Sequence, residues 1–511
     1  MPAVTCFGKQ EIIVLWLHAE TGPARFFMSP GSDLPGRGGG ARVAVMFRKR
    51  GRPPTQLALL GMLAIFSLLI VPTFSRARDR QHVVLISIDG LAPFQMNRDD
   101  VNTPNLDFLA RQGVSGTART SFPSMTWPAH TTMITGTSPA AHGVLGNRYL
   151  DKSRRRLLKA WELNREAHIY VPTIYDSAKK AGLRTAALLW PGSGGARNLD
   201  YNLPEVYLER TFRAFVPKSF QNELTRNGIP FDWFARLSKE EGLELDFLVR
   251  DAAVHVITEH RPELTLVHFV SLDTYSHRAG PRSLRARWAL QVTDTLVGDL
   301  IAATQAAGIY ENTTFVVASD HGFLPVKRCI DLNRYFARQG LLRNIANPAF
   351  GRARAAAVYN GHAAYVYLRD PDDSRARANV IKLIKRIPEV ERVIEPEEYA
   401  ALGLPTPEDN GGVGDLVVLA RPDAFFGGNN RRPIENANYY KGMHGYLPDH
   451  PDMRAGFVMA GPPIVHNPDP MEIDLRDLAP TILSVLEIEP PGTMQGRVLK
   501  EAFLPANTPT E

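Results

Sequence analysis

Three acids, Asp89, Asp273 and Asp320, each stand at or just beyond the end of a short apolar run, and His321 follows Asp320 directly. His277 lies four residues after Asp273, and His444 sits inside Gly442-Met443-His444-Gly445-Tyr446. Carboxylate and imidazole ligands without thiolates suit zinc or another borderline divalent ion that keeps a position open for substrate. Three acids and three histidines exceed what one zinc needs, so two metals are the economical count. A different chemistry is offered by Thr126, just before Pro128 in the stretch Phe122 to Asn147. Proline at the first turn opens a helix that runs to Gly136. A hydroxyl held at a helix start faces backbone N–H groups and the positive end of the helix dipole, a position suited to a nucleophile meeting a phosphate. Singly, each residue also reads as a turn cap, a helix cap or a solvated histidine; their joint placement is what singles them out.

These residues need elements that bring them together, and the chain supplies an α/β alternation. Val83 to Ile88 is a continuous apolar run of the kind a buried parallel strand makes, and it ends in Asp89-Gly90. Thr103-Pro104 predicts a helix start, with the helix ending near Gly113. A helix is expected over Thr173 to Ala181, and strands over Thr185 to Leu189, Leu264 to Val270 and Thr314 to Ala318. The helix Leu284 to Ala307 presents Trp288, Val292, Leu296 and Leu300 as a core-facing stripe. Residues 200 to 255 show poor periodicity and read only as helical or insertional. Because open α/β sheets bind ligands beyond the carboxyl ends of their strands, the acids and Thr126 fall where a site belongs.

The character shifts to an α+β mixture between Leu324 and Lys441, and the α/β pattern resumes with Gly456 to Ala460 and the helix Leu475 to Leu486. This predicts a central, largely parallel sheet flanked by helices, formed by residues 82–324 and 441–500, with a smaller α+β cap inserted at 325–440 and a tail at 501–511.

The net charge of +6 suggests a polymer or membrane binder until it is located. Residues 1–77 carry nine Lys/Arg against three acids, so the whole excess lies there and the remainder is neutral. No nucleic-acid polymer is therefore expected as a partner. Met46-Phe47-Arg48-Lys49-Arg50-Gly51-Arg52, the apolar run Leu57 to Val71 and Ser75-Arg76-Ala77 form the basic, hydrophobic and small-x-small parts of a signal peptide at 46–77. Residues 1–45 read as a non-native or disordered extension, and a membrane association is expected only if 46–77 is an uncleaved anchor. The expected location is extracytoplasmic, periplasmic or secreted. Of the two cysteines, Cys6 lies in the 1–45 extension, which is expected to be lost, so only Cys329 remains, no internal disulfide is available and the core must carry stability.

Ser87-Ile88-Asp89-Gly90, Thr126-Trp127-Pro128, Thr135-Gly136, His142-Gly143, Asn147, Trp190-Pro191-Gly192-Ser193, Asp273-x-x-x-His277, Ser319-Asp320-His321-Gly322 and Gly442-x-His444-Gly445-Tyr446 come in a distinctive order and spacing. Over residues 82 to 500 the chain thereby resembles the nucleotide pyrophosphatase/phosphodiesterase family of the alkaline phosphatase superfamily. The resemblance implies one zinc held by Asp273, His277 and His444 and a second held by Asp89, Asp320, His321 and the Thr126 oxygen. It implies Thr126 as nucleophile through a phospho-threonine intermediate, Asn147 as donor to a non-bridging phosphoryl oxygen, and a small phosphate ester or nucleotide-like substrate. Trp127 matches a base-stacking phenylalanine. His268 stands where nucleotide-cleaving members commonly carry a substrate-contacting tyrosine, and Gly194 where an aspartate is usual, so these two positions do not extend the resemblance to a nucleotide as the natural substrate.

Sulfatases of the superfamily need a cysteine or serine followed by x-Pro-x-Arg, which Thr126-Trp127-Pro128-Ala129-His130 lacks. Phosphomonoester or phosphonate hydrolysis is the nearer alternative, with Arg210 and Arg278 as candidate extra cations. A non-catalytic exported binding protein is the remote one, opposed by the complete ligand set.

Overall fold

The computed structural model describes residues 80–505 apart from 97, 99, 152–155, 344–352 and 429–430. Within the first 79 residues it describes only the paired two-residue strands Phe7–Gly8 and Glu11–Ile12. The expected signal segment at 46–77 and most of the 1–45 extension lie outside the described residues. Among the described residues no helix is long and apolar enough to cross a membrane.

In chain order the main elements are β1 (His82–Ile88), α1 (Pro104–Gln112), β2 (Gly113–Arg119), α2 (Thr126–Thr135), α3 (Ile174–Lys180), β3 (Thr185–Trp190) and β4 (Tyr201–Pro204). There follow α4 (Lys218–Arg226), α5 (Gly242–His260), β5 (Leu264–Phe269), α6 (Ser271–Ala279), α7 (Leu284–Ala306), β6 (Thr313–Ala318), β7 (Ala455–Ala460), β8 (Met471–Asp474) and α8 (Leu478–Val485). The eight strands form one sheet in the order β8-β2-β7-β6-β1-β5-β3-β4. Only β7 runs against the others, pairing antiparallel with both β6 and β2. β1 lies at the centre between β6 and β5, parallel to both.

All residues of β1, β3, β5, β6 and β7 are buried, which explains their unbroken apolar runs. Side chains alternate between two faces. Val84, Ile86 and Ile88 pack with α1, α5 and α7, whereas Val83 and Leu85 pack with α2, α3 and α8. The result is the three-layer α/β architecture that the alternation predicts.

Several local expectations shift. Thr173 caps α3 and forms a capping box with Asp176, as its position predicts. Thr103 precedes α1 but does not cap it through its side chain; Asp294 of α7 instead accepts from the Asn105 and Leu106 amides at 3.2 and 2.8 Å. On α7, Trp288 is 50% exposed, and the buried residues include Ala289, Leu290, Thr293, Leu296, Val297 and Leu300. A strict i+4 row advances about 40° beyond each turn, so the row from Trp288 starts outside and reaches the core only by Leu296. The stretch 200–255 contains β4, α4, most of α5 and three further short helices, one of them a 3-10 turn.

Residues 355–420 carry a separate four-stranded antiparallel sheet in the order Ala355–Asn360, Ala363–Leu368, Leu416–Ala420, Val390–Ile394, with the helix Ser374–Ile384 against it. Its Asn360, Tyr365 and Tyr367 hydrogen-bond to the backbone of Arg148, Leu145 and Leu150, the segment that follows α2. This region therefore pins the loop bearing Asn147.

Candidate active site

Asp89 follows β1, Asp320-His321 follow β6, and α6 begins just past β5 and carries Asp273 and His277 one turn apart. Gly90 adopts φ +75°, and a Cβ there would stand 2.7 Å from the Phe323 ring, so the turn behind Asp89 requires glycine. The Gly90 and His321 amides donate to Asp320 Oδ1 at 3.1 and 3.0 Å, which turns Oδ2 toward His321 Nε2 at 3.2 Å. Asp89, Thr126, Asp273, Asp320 and His321 are fully buried, and His444 and His277 nearly so.

The three histidines share one arrangement. Nδ1 of His277 lies 2.9 Å from the Gly442 carbonyl, that of His321 3.1 Å from the Gly322 carbonyl, and that of His444 2.9 Å from the Ser124 carbonyl. A carbonyl can only accept, so each neutral ring carries its proton on Nδ1 and presents the Nε2 lone pair elsewhere. Those lone pairs face carboxylates: His277 and His444 lie 3.2 and 3.6 Å from Asp273 Oδ1, and His321 lies 3.4 Å from Asp89 Oδ1. Lone pair against carboxylate is repulsive in a dry site unless a cation stands between them, and backbone acceptors behind ligand histidines are the usual supporting arrangement. Ligand atoms of Asp273, His321 and His444 lie within 4.8 Å of one another, as do those of Asp89, Asp320 and His321. The residues thus fit divalent metal. His321 stands between the two groups, its ring stacked on His444 at 3.6 Å.

Thr126 is the first residue of α2, and its Oγ1 is buried with no hydrogen-bond partner among the described residues. The Trp127 amide, at the same helix start, donates to Asn147 Oδ1 at 3.1 Å. With its oxygen so engaged, Asn147 has its NH₂ group available as a donor. Trp127 itself is 3% exposed. It packs with Val144, Ala160 and Ile169, with the Trp161 ring 5.6 Å away and the Arg148 guanidinium over Trp161. His268 on β5 is fully buried behind the acids, with Nδ1 3.1 Å from His130 Nε2 and Nε2 3.7 Å from Asp89 Oδ2. Arg210 is exposed, and Arg278 pairs with Glu240.

Three supporting groups escaped the sequence reading. His130 contacts the Thr126 carbonyl through Nδ1 at 2.8 Å and Ser87 Oγ through Nε2 at 2.7 Å, tying the start of α2 to β1. Burial lowers its pKa to about 4, so it stays neutral. Its place one turn after Thr126 was the available signal. Tyr207 donates to Glu205; burial first, then that carboxylate and more weakly Asp89 and Asp273, push its hydroxyl well above the usual tyrosine value. Asp246 of α5 accepts from the Val270 and Ser271 amides at 2.7 and 3.0 Å and so caps α6 from another helix.

Asp246 yields the first testable expectation. Asp246→Ala leaves two buried amides unpaired and should cost about 2–4 kcal/mol in denaturant unfolding. Burial also raises the Asp246 carboxyl from its ordinary 3.8 to about 7. The folded state then binds the extra proton between those values, so stability falls as pH rises through that window. Wild type should lose stability relative to Asp246→Asn from about pH 4 to about pH 7, as unfolding curves across that range will read.

A largely parallel sheet whose strand ends gather acids and histidines, with a buried threonine hydroxyl at a helix start, defines an α/β protein of the alkaline-phosphatase type. The chain belongs to the Type I phosphodiesterase / nucleotide pyrophosphatase family, whose profile matches residues 83–447. It is 29% identical over 261 residues to human ectonucleotide pyrophosphatase/phosphodiesterase family member 7, covering 49% of this chain and 50% of that protein. A Schizosaccharomyces pombe pyrophosphatase/phosphodiesterase is 28% identical over 282 residues, covering 53% of this chain and 50% of the relative. The chain thus spans about half the length of these curated relatives. Human ectonucleotide pyrophosphatase/phosphodiesterase 5 shares the fold, with a TM-score of 0.61 at 19% identity over 83% of this chain and 98% of that one. The murine counterpart, solved as an inactive threonine-to-alanine form in complex with AMP, gives a TM-score of 0.60 at 19% identity over 80% and 96% of the two chains.

Proposed function

We propose that this protein is an extracytoplasmic phosphodiesterase that binds two divalent metal ions, zinc first among them, and uses Thr126 as its nucleophile. The observation that carries the reading is the set of three histidines whose Nε2 lone pairs face carboxylates, together with the Thr126 hydroxyl, buried without a hydrogen-bond partner among the described residues at the start of α2, two residues past the Ser124 carbonyl that holds His444. Asp273, His277 and His444 would hold one ion, and Asp89, Asp320 and His321 with Thr126 the other. When bound, such ions lower the pKa of a coordinated hydroxyl and offset charge on the attacking and leaving oxygens.

The chain's own groups then account for the remaining chemistry. Thr126 Oγ1 gives its proton to solvent and attacks phosphorus in line; the new P–O bond forms as the bond to the leaving alcohol breaks. The leaving oxygen takes a proton from solvent. Water next attacks the phospho-threonine, releasing a phosphomonoester and restoring the hydroxyl, so the net reaction is diester plus water to monoester plus alcohol. Asn147, its oxygen engaged by the Trp127 amide, donates from its NH₂ group to a non-bridging oxygen. His130 and His268 act as positioning residues, for the start of α2 and for Asp89 respectively. Asn147→Ala should therefore lower kcat/KM by about a hundredfold, chiefly through kcat, as steady-state kinetics on an aryl phosphodiester will measure.

A nucleotide-like substrate is supported by the AMP complex of the murine relative. Trp127, with Trp161 beside it, is the stacking partner proposed for an aromatic leaving group. The diester reading is preferred over monoester or phosphonate hydrolysis because Arg278 is committed to Glu240 and Arg210 is exposed. The deciding experiment compares diester, monoester, phosphonate and nucleotide substrates on one preparation whose metal content is measured. About two zinc ions per chain with diester preference support the proposal; a metal-free, inactive wild type supports the binding-protein alternative. The extracytoplasmic location rests on the Met46 to Ala77 pattern, and N-terminal sequencing of the natural product tests it.

A further inference from the structure

A second cluster of metal-ligating side chains lies away from Thr126. Its members are Glu223 on α4 and His255 and His260 on α5. His260 ends α5 just before β5 begins, so the cluster sits at the amino end of β5, whereas Asp273 lies beyond its carboxyl end. A six-residue strand spans about 20 Å, which separates the two places.

The geometry is convergent. Nε2 of His255 and Nε2 of His260 both point at one atom, Glu223 Oε1, at 2.8 and 2.5 Å. The two rings stand nearly perpendicular at 89°, with centroids 5.8 Å apart. Tyr201 of β4 stacks on His260 at 4.1 Å and 18°, which fixes the plane of that imidazole. The side chains keep 11%, 23% and 23% of their surface for His255, His260 and Glu223, so an ion has a path from solvent.

We propose that Glu223, His255 and His260 form an additional binding site for a borderline divalent cation of the zinc class, with a solvent-facing fourth position. Two imidazole nitrogens and one carboxylate oxygen are a donor set such ions accept. Ligand atoms about 2.0–2.1 Å from a tetrahedral ion stand about 3.3 Å apart, so Glu223 Oε1 must draw back from each imidazole by under about 1 Å to admit it. The partly exposed Glu223 side chain can supply that movement by rotation. A bound ion fastens α4 to the end of α5 beside Tyr201 and the edge strand β4. The site thus stabilises the fold and takes no part in turnover.

The test uses the full chain, stripped of metal and titrated with zinc alone, followed by calorimetry and elemental analysis. Wild type is expected to bind one more equivalent than Glu223→Gln or His260→Asn, and to show a zinc-dependent rise in Tm that both variants lack in part. Cobalt in place of zinc should give a visible absorption difference between wild type and variants. Diester turnover of the variants should equal that of wild type, which separates this site from the catalytic one. Comparing metal-free Tm values first confirms that each variant folds, and using two different substitutions guards against the failure of either. Equal metal content and equal zinc response in wild type and both variants overturn the proposal and leave the three residues as a hydrogen-bonded triad. Because the readout is a difference between variants, it stands whatever the metal count at Thr126.

Discussion

Thr126→Ala is expected to lower diester turnover by about 10⁴-fold or more while leaving the fold and most of the metal content in place. The hydroxyl has no hydrogen-bond partner among the described residues, so its removal breaks no bond within them. Six other side chains remain to hold metal, and the backbone at the helix start stays tied by His130 and Asn147. What disappears is the atom that forms the new bond to phosphorus. Thr126→Ser supplies the control: it keeps an oxygen at that place but loses the γ-methyl that restricts χ1, so it should retain partial activity. Trapping a phosphorylated chain by rapid acid quench in wild type and Thr126→Ser, but not in Thr126→Ala, would tie the loss to the intermediate. Unchanged turnover in Thr126→Ala would remove Thr126 as nucleophile.

Chelation of divalent metal is expected to abolish activity and lower Tm by on the order of 5–10 °C, both restored by zinc. The site gathers Asp89, Asp273 and Asp320 in full burial with three histidine lone pairs turned toward them. Without cations, that charge is buried in a low-dielectric site with little to offset it. An ion present at about a hundred times its Kd contributes about 2.7 kcal/mol to the folded state, and two contribute about 5 kcal/mol. Differential scanning fluorimetry across a zinc titration measures the shift. A chelated protein that keeps both its Tm and its activity would exclude metal from this site.

The acids were legible because each announces itself locally. An apolar run that ends in Asp is a parallel strand delivering a carboxylate to the edge of the sheet, and Asp89 and Asp320-His321 lie at such ends. The one-turn spacing of Asp273 and His277 was equally readable, since residues four apart share a helix face. Capping is less legible. Thr103-Pro104 predicts the start of α1, but Asp294, distant in sequence, supplies the cap; α6 takes its cap from Asp246 in the same way. No local pattern signals a cap supplied by another helix. The cluster of Glu223, His255 and His260 escaped for a related reason: its carboxylate and imidazoles come from two helices in a stretch with poor periodicity.

Order along the chain is enough for the α/β class, the acids and histidines at strand ends, the placing of Thr126 at a helix start and the family resemblance. Each of these rests on order and spacing over a few residues, where covalent geometry fixes which groups are neighbours. Only the tertiary structure decided which atoms face each other. Backbone carbonyls from distant turns orient the imidazoles of His277 and His444, and the 355–420 sheet holds the loop of Asn147. Burial placed His268 behind Asp89 and closed Trp127 within an apolar cluster. Orientation and desolvation depend on contacts between segments hundreds of residues apart, and chemistry at this site depends on both.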